Sequence, residues 1–389
     1  LHSSGFFFLS KKISMLNQRF YAMIRQHILL ILGFLAGFHL AFADDPPDWS
    51  SIESAFRTEK SAFREIADLA KFIDQNFLQD EAKTAALYWW LGNNITYDMQ
   101  SYRQRASKRN ESPQMIIERT FKQRKGVCEG YAGIMDSVLQ LLNIESYTIG
   151  GYTRQGQMIS PIPHAWVAAK IDNQWMLFDP TWAAGSIINK RYEARFDPAF
   201  FMVKPEQMRH THMPYDPIWQ FSEQPLSHQA FILHKFDNKK TNASFHFADS
   251  IATHIALDGT DQILAEYQRI HRDYFPHEAL NIRLNYLSDN LEISRYNREV
   301  ELLNQATTSY NNAVETYNQW LEWQQHNGQR HTSTSDQLLL DTGRQLANSL
   351  KILSQLQQAS SELGKDVRSL NKAVSSLKKQ LEKEGLRFE

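Results

Sequence analysis

The chain is 389 residues long, with 42% hydrophobic residues and a formal net charge of −1, enough to bury a full core and to make two domains. Near-neutral charge argues against a nucleic-acid binder. No Lys/Arg stripe with interleaved aromatics occurs, and Lys11-Lys12, Lys239-Lys240 and Lys378-Lys379 are short enough to be ordinary solvated surface. The single cysteine, Cys128, excludes an internal disulfide. No phosphate-binding Gly loop, zinc pattern or calcium loop is present, so neither a cofactor nor a metal is expected.

In chain order, Arg25, the apolar run Ile28 to Leu40 and the small-x-small site Ala41-Phe42-Ala43 read as an export signal, cleaved to leave Asp44-Asp45-Pro46-Pro47. Residues 1–43 are then leader plus signal, with Met15 or Met23 as the start, and the protein is expected to be periplasmic or secreted. The run is short and interrupted by Gly33, Gly37 and His39, which disfavours the alternative of an uncleaved anchor. Trp49 to Leu78 and Glu81 to Asn94 carry apolar residues at helical spacing, Met99 to Glu111 is polar enough for a surface loop, and Gln114 to Gln123 suggests a short helix.

A further amphipathic pattern (Tyr131, Ile134, Met135, Val138, Leu139, Leu142) begins at once after Arg124-Lys125-Gly126-Val127, placing Cys128 in the first turn of a helix. Unpaired N–H groups and the positive end of the helix dipole favour a thiolate there, and Arg124 and Lys125 add charge nearby. Ser146 to Tyr152 reads as a strand and Arg154 to Pro163 as loop. Two strands, His164 to Ile171 and Gln174 to Asp179, flank Asp172-Asn173, which tolerate the positive φ of a two-residue hairpin turn. That register faces Ile171 to Gln174 and Trp166 to Asp179, with His164 diagonal to Asp179 at about 7–8 Å on the same face. A slip of one residue would put Asp179 on the other face.

A thiol nucleophile needs a base and a group that orients the base. Cys128, His164 and Asp179 supply these as nucleophile, base and orienting acid. The Cys128 backbone N–H is a candidate oxyanion donor, with Gln123 as the second, although solvent-facing polarity on a short helix explains Gln123 equally well. Trp166 and Trp182 are candidates to line a substrate groove, and Tyr131 to shape the pocket beside the thiol; packing explains all three equally well. His210 and His212 alternate as metal ligands sometimes do, but without an acidic or Cys partner in pattern they are read as a structural loop.

Gly126-Val127-Cys128-Glu129-Gly130-Tyr131-Ala132, His164-Ala165-Trp166 and Phe178-Asp179-Pro180-Thr181-Trp182 together resemble the transglutaminase-like superfamily of papain-type thiol enzymes. Their flanks, including Tyr88-Trp89-Trp90, Asn94 to Asp98, Phe200 to Pro205, His212-Met213-Pro214 and Trp219-Gln220, resemble most the branch that includes the kyphoscoliosis peptidase. The resemblance implies an α+β fold, a papain-like core in which the Cys helix packs on an antiparallel sheet, with Cys128, His164 and Asp179 in the roles given above. It leaves open peptidase, amidase, transamidase and inactive members.

Residues 44–230 are therefore expected to form the catalytic domain and 231–389 a mainly helical accessory domain. Ser227 to Phe247 has alternation that would add strands. Beyond it, Ile263, Leu264, Tyr267 and Ile270 form one short amphipathic pattern, and Ala279, Ile282, Leu284 and Leu287 another. Leu303, Tyr310, Val314, Tyr317 and Leu321 recur at heptad spacing, as do Leu346, Leu350 and Leu353 and then Leu363 to Leu381, separated by the polar loop Gln325 to Ser335. An antiparallel helical hairpin would bury both stripes, and a coiled-coil surface for self-association or an envelope partner is the alternative. Gly364 weakens the last helix. The expected function is an exported enzyme acting on amide bonds of proteins or peptides through a thioester; the alternative is an inactive scaffold of the same fold that binds a protein partner in the cell envelope.

Overall fold

The structure is a computed structural model and describes residues 46–57, 63–103, 111–160, 162–188, 191–236, 245–328 and 332–386. The expected export signal and its cleavage site lie outside the described residues. Among the described residues no helix is long and apolar enough to cross a membrane. The chain divides into two compact units after Ile251.

In the first unit the stretch expected as one helix forms two, α1 (Trp49–Phe56) and α2 (Ile66–Asn76). A second helix start is written inside it: the Asp68 carboxylate accepts from the Arg64 and Glu65 backbone N–H groups at 3.0 Å and caps α2. Then come α3 (Asp80–Asn94), β1 (Thr96–Tyr97), α4 (Met99–Arg103) and α5 (Pro113–Gln123). Helix α4 stands where a loop was expected, because Asp98 caps it by accepting from the Gln100 and Ser101 N–H groups. Strand β2 (Lys125–Gly126) pairs in parallel with β1 and leads into α6 (Cys128–Leu141). Glycines let α6 lie close against α5. A Cβ at Gly126 or Gly130 would fall 2.4 or 2.2 Å from the Thr120 side chain, and one at Gly133 would fall 2.4 Å from Ile117.

The sheet comprises β3 (Ser146–Gln155), β4 (Met158–Ile159), β5 (His164–Ile171), β6 (Gln174–Phe178) and β9 (His212–Pro214). β3 pairs with β4, β5 and β9, all antiparallel. The loop expected from Arg154 is thus partly strand, turning at Gly156 with φ 58°. Asp172 and Asn173 have φ of 49° and 61°, and Ile171 pairs with Gln174 out to Val167 with Phe178, the register expected from the turn. Alternation gives the sheet two apolar faces. Ala165, Val167, Ala169, Met176 and Phe178 join α6 in one cluster, while Trp166, Ala168 and Leu177 join Val203, Met208 and Ile218 in another.

After β6 come α7 (Pro180–Ala184), the hairpin β7 (Gly185–Ile188) with β8 (Arg191–Ala194), α8 (Pro205–Met208), β9 and α9 (His228–Ile232). Among the described residues of 227–247, where strands were expected, the chain starts α9, capped by Ser227. This helix is docked on β3. His228 bridges the Tyr152 hydroxyl at 3.0 Å and the Tyr215 carbonyl at 2.9 Å, and the Arg154 guanidinium donates to the Phe231 and Ile232 carbonyls. The compact unit therefore continues past residue 230.

The boundary after Ile251 falls within α10 (Phe247–Ala256), and the second unit is helical, with α11 (Gly259–Arg272), α12 (Glu278–Asn327), α13 (Ser333–Ser354) and α14 (Gly364–Lys383). The pattern expected as a short helix at Ala279 is the start of the 50-residue α12. Helices α12 and α13 run antiparallel: Asn348 donates to the Ser309 hydroxyl and Ser349 to the Ala306 carbonyl, both at 2.8 Å, and the Ser360 N–H to the Glu299 carboxylate at 2.9 Å. The innermost α12 positions are Ala306, Ala313 and Trp320, packed with Leu339, Leu346 and Leu353, while Leu321 is exposed. Small alanines one heptad apart let the helices approach, a signal that a search for large apolar residues misses. Gly364 opens α14 and interrupts no helix.

Candidate active site

Cys128 is the first residue of α6, so its thiol sits among N–H groups without intrahelical acceptors, at the positive end of the helix. The cations expected beside it are engaged elsewhere. The Arg124 guanidinium donates to the Phe63 and Phe121 carbonyls and lies over the Trp90 and Phe121 rings, and Lys125 pairs with Asp98 at 3.5 Å. His164 opens β5, and its ring hydrogen-bonds the Cys128 thiol. His164 Nε2 is 2.7 Å from Asp179 Oδ2, which leaves Nδ1 for the sulfur. Cys128 itself is 1% exposed and the His164 side chain 11%.

Asp179 lies one step beyond the last paired residue of β6 and is the N-cap of α7, with Pro180 in the first turn. Its Oδ1 accepts from the Thr181 and Trp182 N–H groups at 2.9 and 3.0 Å. Its Oδ2 meets two imidazoles, that of His164 and that of His212 at 3.0 Å. The carboxylate is fully buried, and each oxygen has two donors. His212 is buried on β9, its Nδ1 2.8 Å from Thr211 Oγ1. Gly151 of β3 pairs with both His164 and Pro214, and a Cβ there would fall 2.2 Å from the Met213 carbonyl and 2.5 Å from Trp166. A bare α-carbon is what lets β9 bring His212 to the carboxylate.

Charge is divided unequally across this chain of groups. Burial works against protonated His164, but the Asp179 charge and hydrogen bond, with a further contribution from Cys128, push its pKa up to about 10. Burial also works against the Asp179 charge, yet His164 and then His212 hold it well below the usual carboxylate range. His212 moves the other way. Burial and the His164 charge lower its pKa, outweighing the Asp179 hydrogen bond and charge. These shifts favour the proton on His164, the negative charge on Asp179 and a neutral ring at His212.

The other candidates fare differently. Tyr131 is fully buried, its hydroxyl donating to the Ile95 carbonyl at 2.6 Å, and Trp166 is fully buried on the sheet face opposite α6. Both are as fully covered as Cys128 itself. Trp182 is partly exposed, with ring centroids 5.9 Å from His164, 4.6 Å from His212 and 4.7 Å from Phe200. Gln123 is exposed at the end of α5 and has no described contact with Cys128 or His164. His212 was missed because β9 is only three residues long, too short to show a strand period, and its register is visible only across β3.

His164, Asp179 and His212 each offer a ligand atom within 4.8 Å of the others, the donor set of a two-histidine, one-carboxylate metal site. Both ring nitrogens, however, lie at hydrogen-bond distance from one and the same oxygen. Ligands on a tetrahedral ion at about 2.0–2.1 Å stand roughly 3.3 Å apart, so a metal there would have to replace both ring protons and lengthen both contacts to that oxygen.

Comparison with known proteins bears on the same region. Residues 67–180 match the sequence profile described as the transglutaminase-like superfamily. The kyphoscoliosis peptidase of Homo sapiens is 24% identical over 197 residues, covering 49% of this chain and 28% of that protein. Its Mus musculus counterpart is 25% identical over 196 residues, 48% of this chain and again 28% of the relative. A solved structure described as a TGase is 18% identical, with a TM-score of 0.24, covering 34% of this chain and 37% of that one.

Proposed function

The core of this chain is a transglutaminase-like domain related to the kyphoscoliosis-peptidase branch, and from that premise we propose that it is an exported cysteine-dependent enzyme that cleaves amide bonds of proteins or peptides. The observation that carries the reading is the unbroken hydrogen-bonded line from the Cys128 thiol through His164 to Asp179.

In this scheme the Cys128 proton resides on His164, giving a thiolate and an imidazolium held by Asp179. The thiolate attacks the amide carbonyl carbon. Negative charge moves to the carbonyl oxygen, where the Cys128 N–H at the start of α6 is the donor assigned to it. As the C–N bond breaks, the His164 proton passes to the departing amine and a thioester remains. Water, losing a proton to His164, attacks the thioester and releases the acid, and the thiolate is restored. A primary amine in place of water would give transamidation. Trp182 forms the apolar wall of the approach. Export is carried by the pattern of Arg25, Ile28 to Leu40 and Ala41-Phe42-Ala43.

The burial of Cys128 favours a second reading, a binding scaffold whose thiol is spent on packing. Alkylation decides between them, because every labelled molecule is labelled at the one cysteine. An enzyme requires fast iodoacetamide labelling well below the ordinary thiol range, lost in His164→Ala. Slow labelling in both proteins, rising only at alkaline pH, leaves the scaffold. Incubating a glutamine-bearing peptide with a labelled amine then separates hydrolysis, which releases free acid, from transamidation, which incorporates the label.

A further inference from the structure

The scheme above leaves His212 without a task, although it touches the scheme's carboxylate. Both imidazoles donate to the same oxygen, Asp179 Oδ2, and Oδ1 is occupied by two backbone N–H groups. The His212 ring is almost wholly buried, with centroids 4.6 Å from Trp182, 5.1 Å from Trp166 and 5.4 Å from Phe200, so no water competes for its N–H. Its Nδ1 is 2.8 Å from the Thr211 hydroxyl, whose single proton is also within 3.2 Å of the Met208 carbonyl; given to the nearer ring nitrogen, that proton keeps the His212 proton on Nε2.

We propose that His212 is a positioning residue for Asp179: its Nε2–H holds the carboxylate in line with His164 and draws on the same oxygen, loosening the carboxylate's grip on the His164 proton so that this proton can be released to a departing amine. The inference rests on the reading of His164 as proton carrier. A carboxylate that shares its charge among more donors is a weaker base towards each of them. Removing one donor from Oδ2 therefore strengthens the bond to His164 and makes its proton harder to give up. The titratable groups acting on the two rings are Cys128 from α6 and Asp179 after β6, with each ring acting on the other; Tyr88 of α3 reaches the Asp179 backbone carbonyl at 3.2 Å.

The test uses the full chain labelled with 15N-histidine, following both rings by proton–nitrogen NMR across pH, with Cys128 alkylation measured alongside. In His212→Phe the His164 midpoint should rise by about half to one pH unit, a roughly three- to tenfold tighter proton. Alkylation should stay fast over the same pH range, because it consumes thiolate and asks no proton of His164. His212→Gln, whose amide restores an N–H donor at similar reach, should return the midpoint to its original place. An unmoved or lowered midpoint in His212→Phe, or His212→Gln behaving like it, overturns the proposal. Should His212→Phe fail to fold, the unaltered protein still decides: His212 must remain a neutral Nε2–H tautomer while His164 is charged, and an Nδ1–H tautomer or a His212 that carries the charge refutes the role. Slow alkylation of the unaltered protein would instead sink the nucleophile reading, which the NMR midpoints do not depend on.

Discussion

Asp179→Asn keeps the size of a buried side chain and removes its charge, which makes it the sharpest probe of how the first unit stores a proton. In the folded chain the Asp179 charge outweighs burial and holds the His164 pKa at about 10 against an ordinary 6.5. A folded pKa above the unfolded one gives stability that is complete below pH 6.5 and is lost as pH rises through the folded value. The loss runs at about 1.4 kcal/mol per pH unit and is on the order of 5 kcal/mol over the whole span. The depressed Asp179 pKa contributes stability lost only as pH falls below 3.8, outside this window. With Asn, the side-chain oxygen keeps the Thr181 and Trp182 N–H groups and the amide nitrogen turns to His164. The ring must then accept at Nε2 and carry its proton on Nδ1, facing the sulfur, so it no longer takes a proton from the thiol. Urea unfolding followed by indole fluorescence reads this, since every tryptophan except Trp320 and Trp323 lies in the first unit. In a Cys128→Ser background, which removes the thiol's own proton from the balance, the protein with Asp179 should lose roughly 2–3 kcal/mol more between about pH 6.5 and about pH 9 than the one with Asp179→Asn. Parallel slopes in the two proteins would refute the claim that Asp179 holds the His164 proton.

Gly130→Ala puts a methyl group 2.2 Å from Thr120 Oγ1 at the contact that seats the start of α6; it should destabilise by about 1–3 kcal/mol in urea titration, with Thr120→Ala restoring most of the loss. Leu346→Ala removes a fully buried side chain facing the alanine seam of α12 and should cost about 2–5 kcal/mol in the unfolding of the helical unit, read by circular dichroism. The mature N-terminus should be Asp44, as mass spectrometry of protein recovered from outside the cytoplasm would report; an intact Arg25 to Ala43 segment there contradicts the cleavage expected from the sequence.

What could be read along the chain is what local physics controls. Apolar spacing after Gly126 is enough to put Cys128 in a first helical turn, because a helix start needs only its own residues. Asp172-Asn173 set a two-residue turn, and a turn of known length dictates its hairpin register, so Asp179 falls on the side of His164. The antiparallel α12 and α13 follow from two periodic stripes and a short polar connection. Helix breaks were less legible: Asp68 and Asp98 each cap a helix by accepting from two backbone N–H groups, a local contact that composition does not weigh.

Only the tertiary structure decided the rest. Tyr131 and Trp166 are chemically suited to line a groove, but which face of a helix or sheet meets solvent depends on what packs over it, and both are covered. Ala306 and Ala313 are fully buried between helices for the same reason that they carry little apolar signal, their small size. His212 reaches Asp179 through a three-residue strand admitted by the bare α-carbon of Gly151. Turns and helix starts act between neighbours in sequence and leave their mark there, whereas burial and shared hydrogen bonds act between neighbours in space, which the chain reveals only once it has folded.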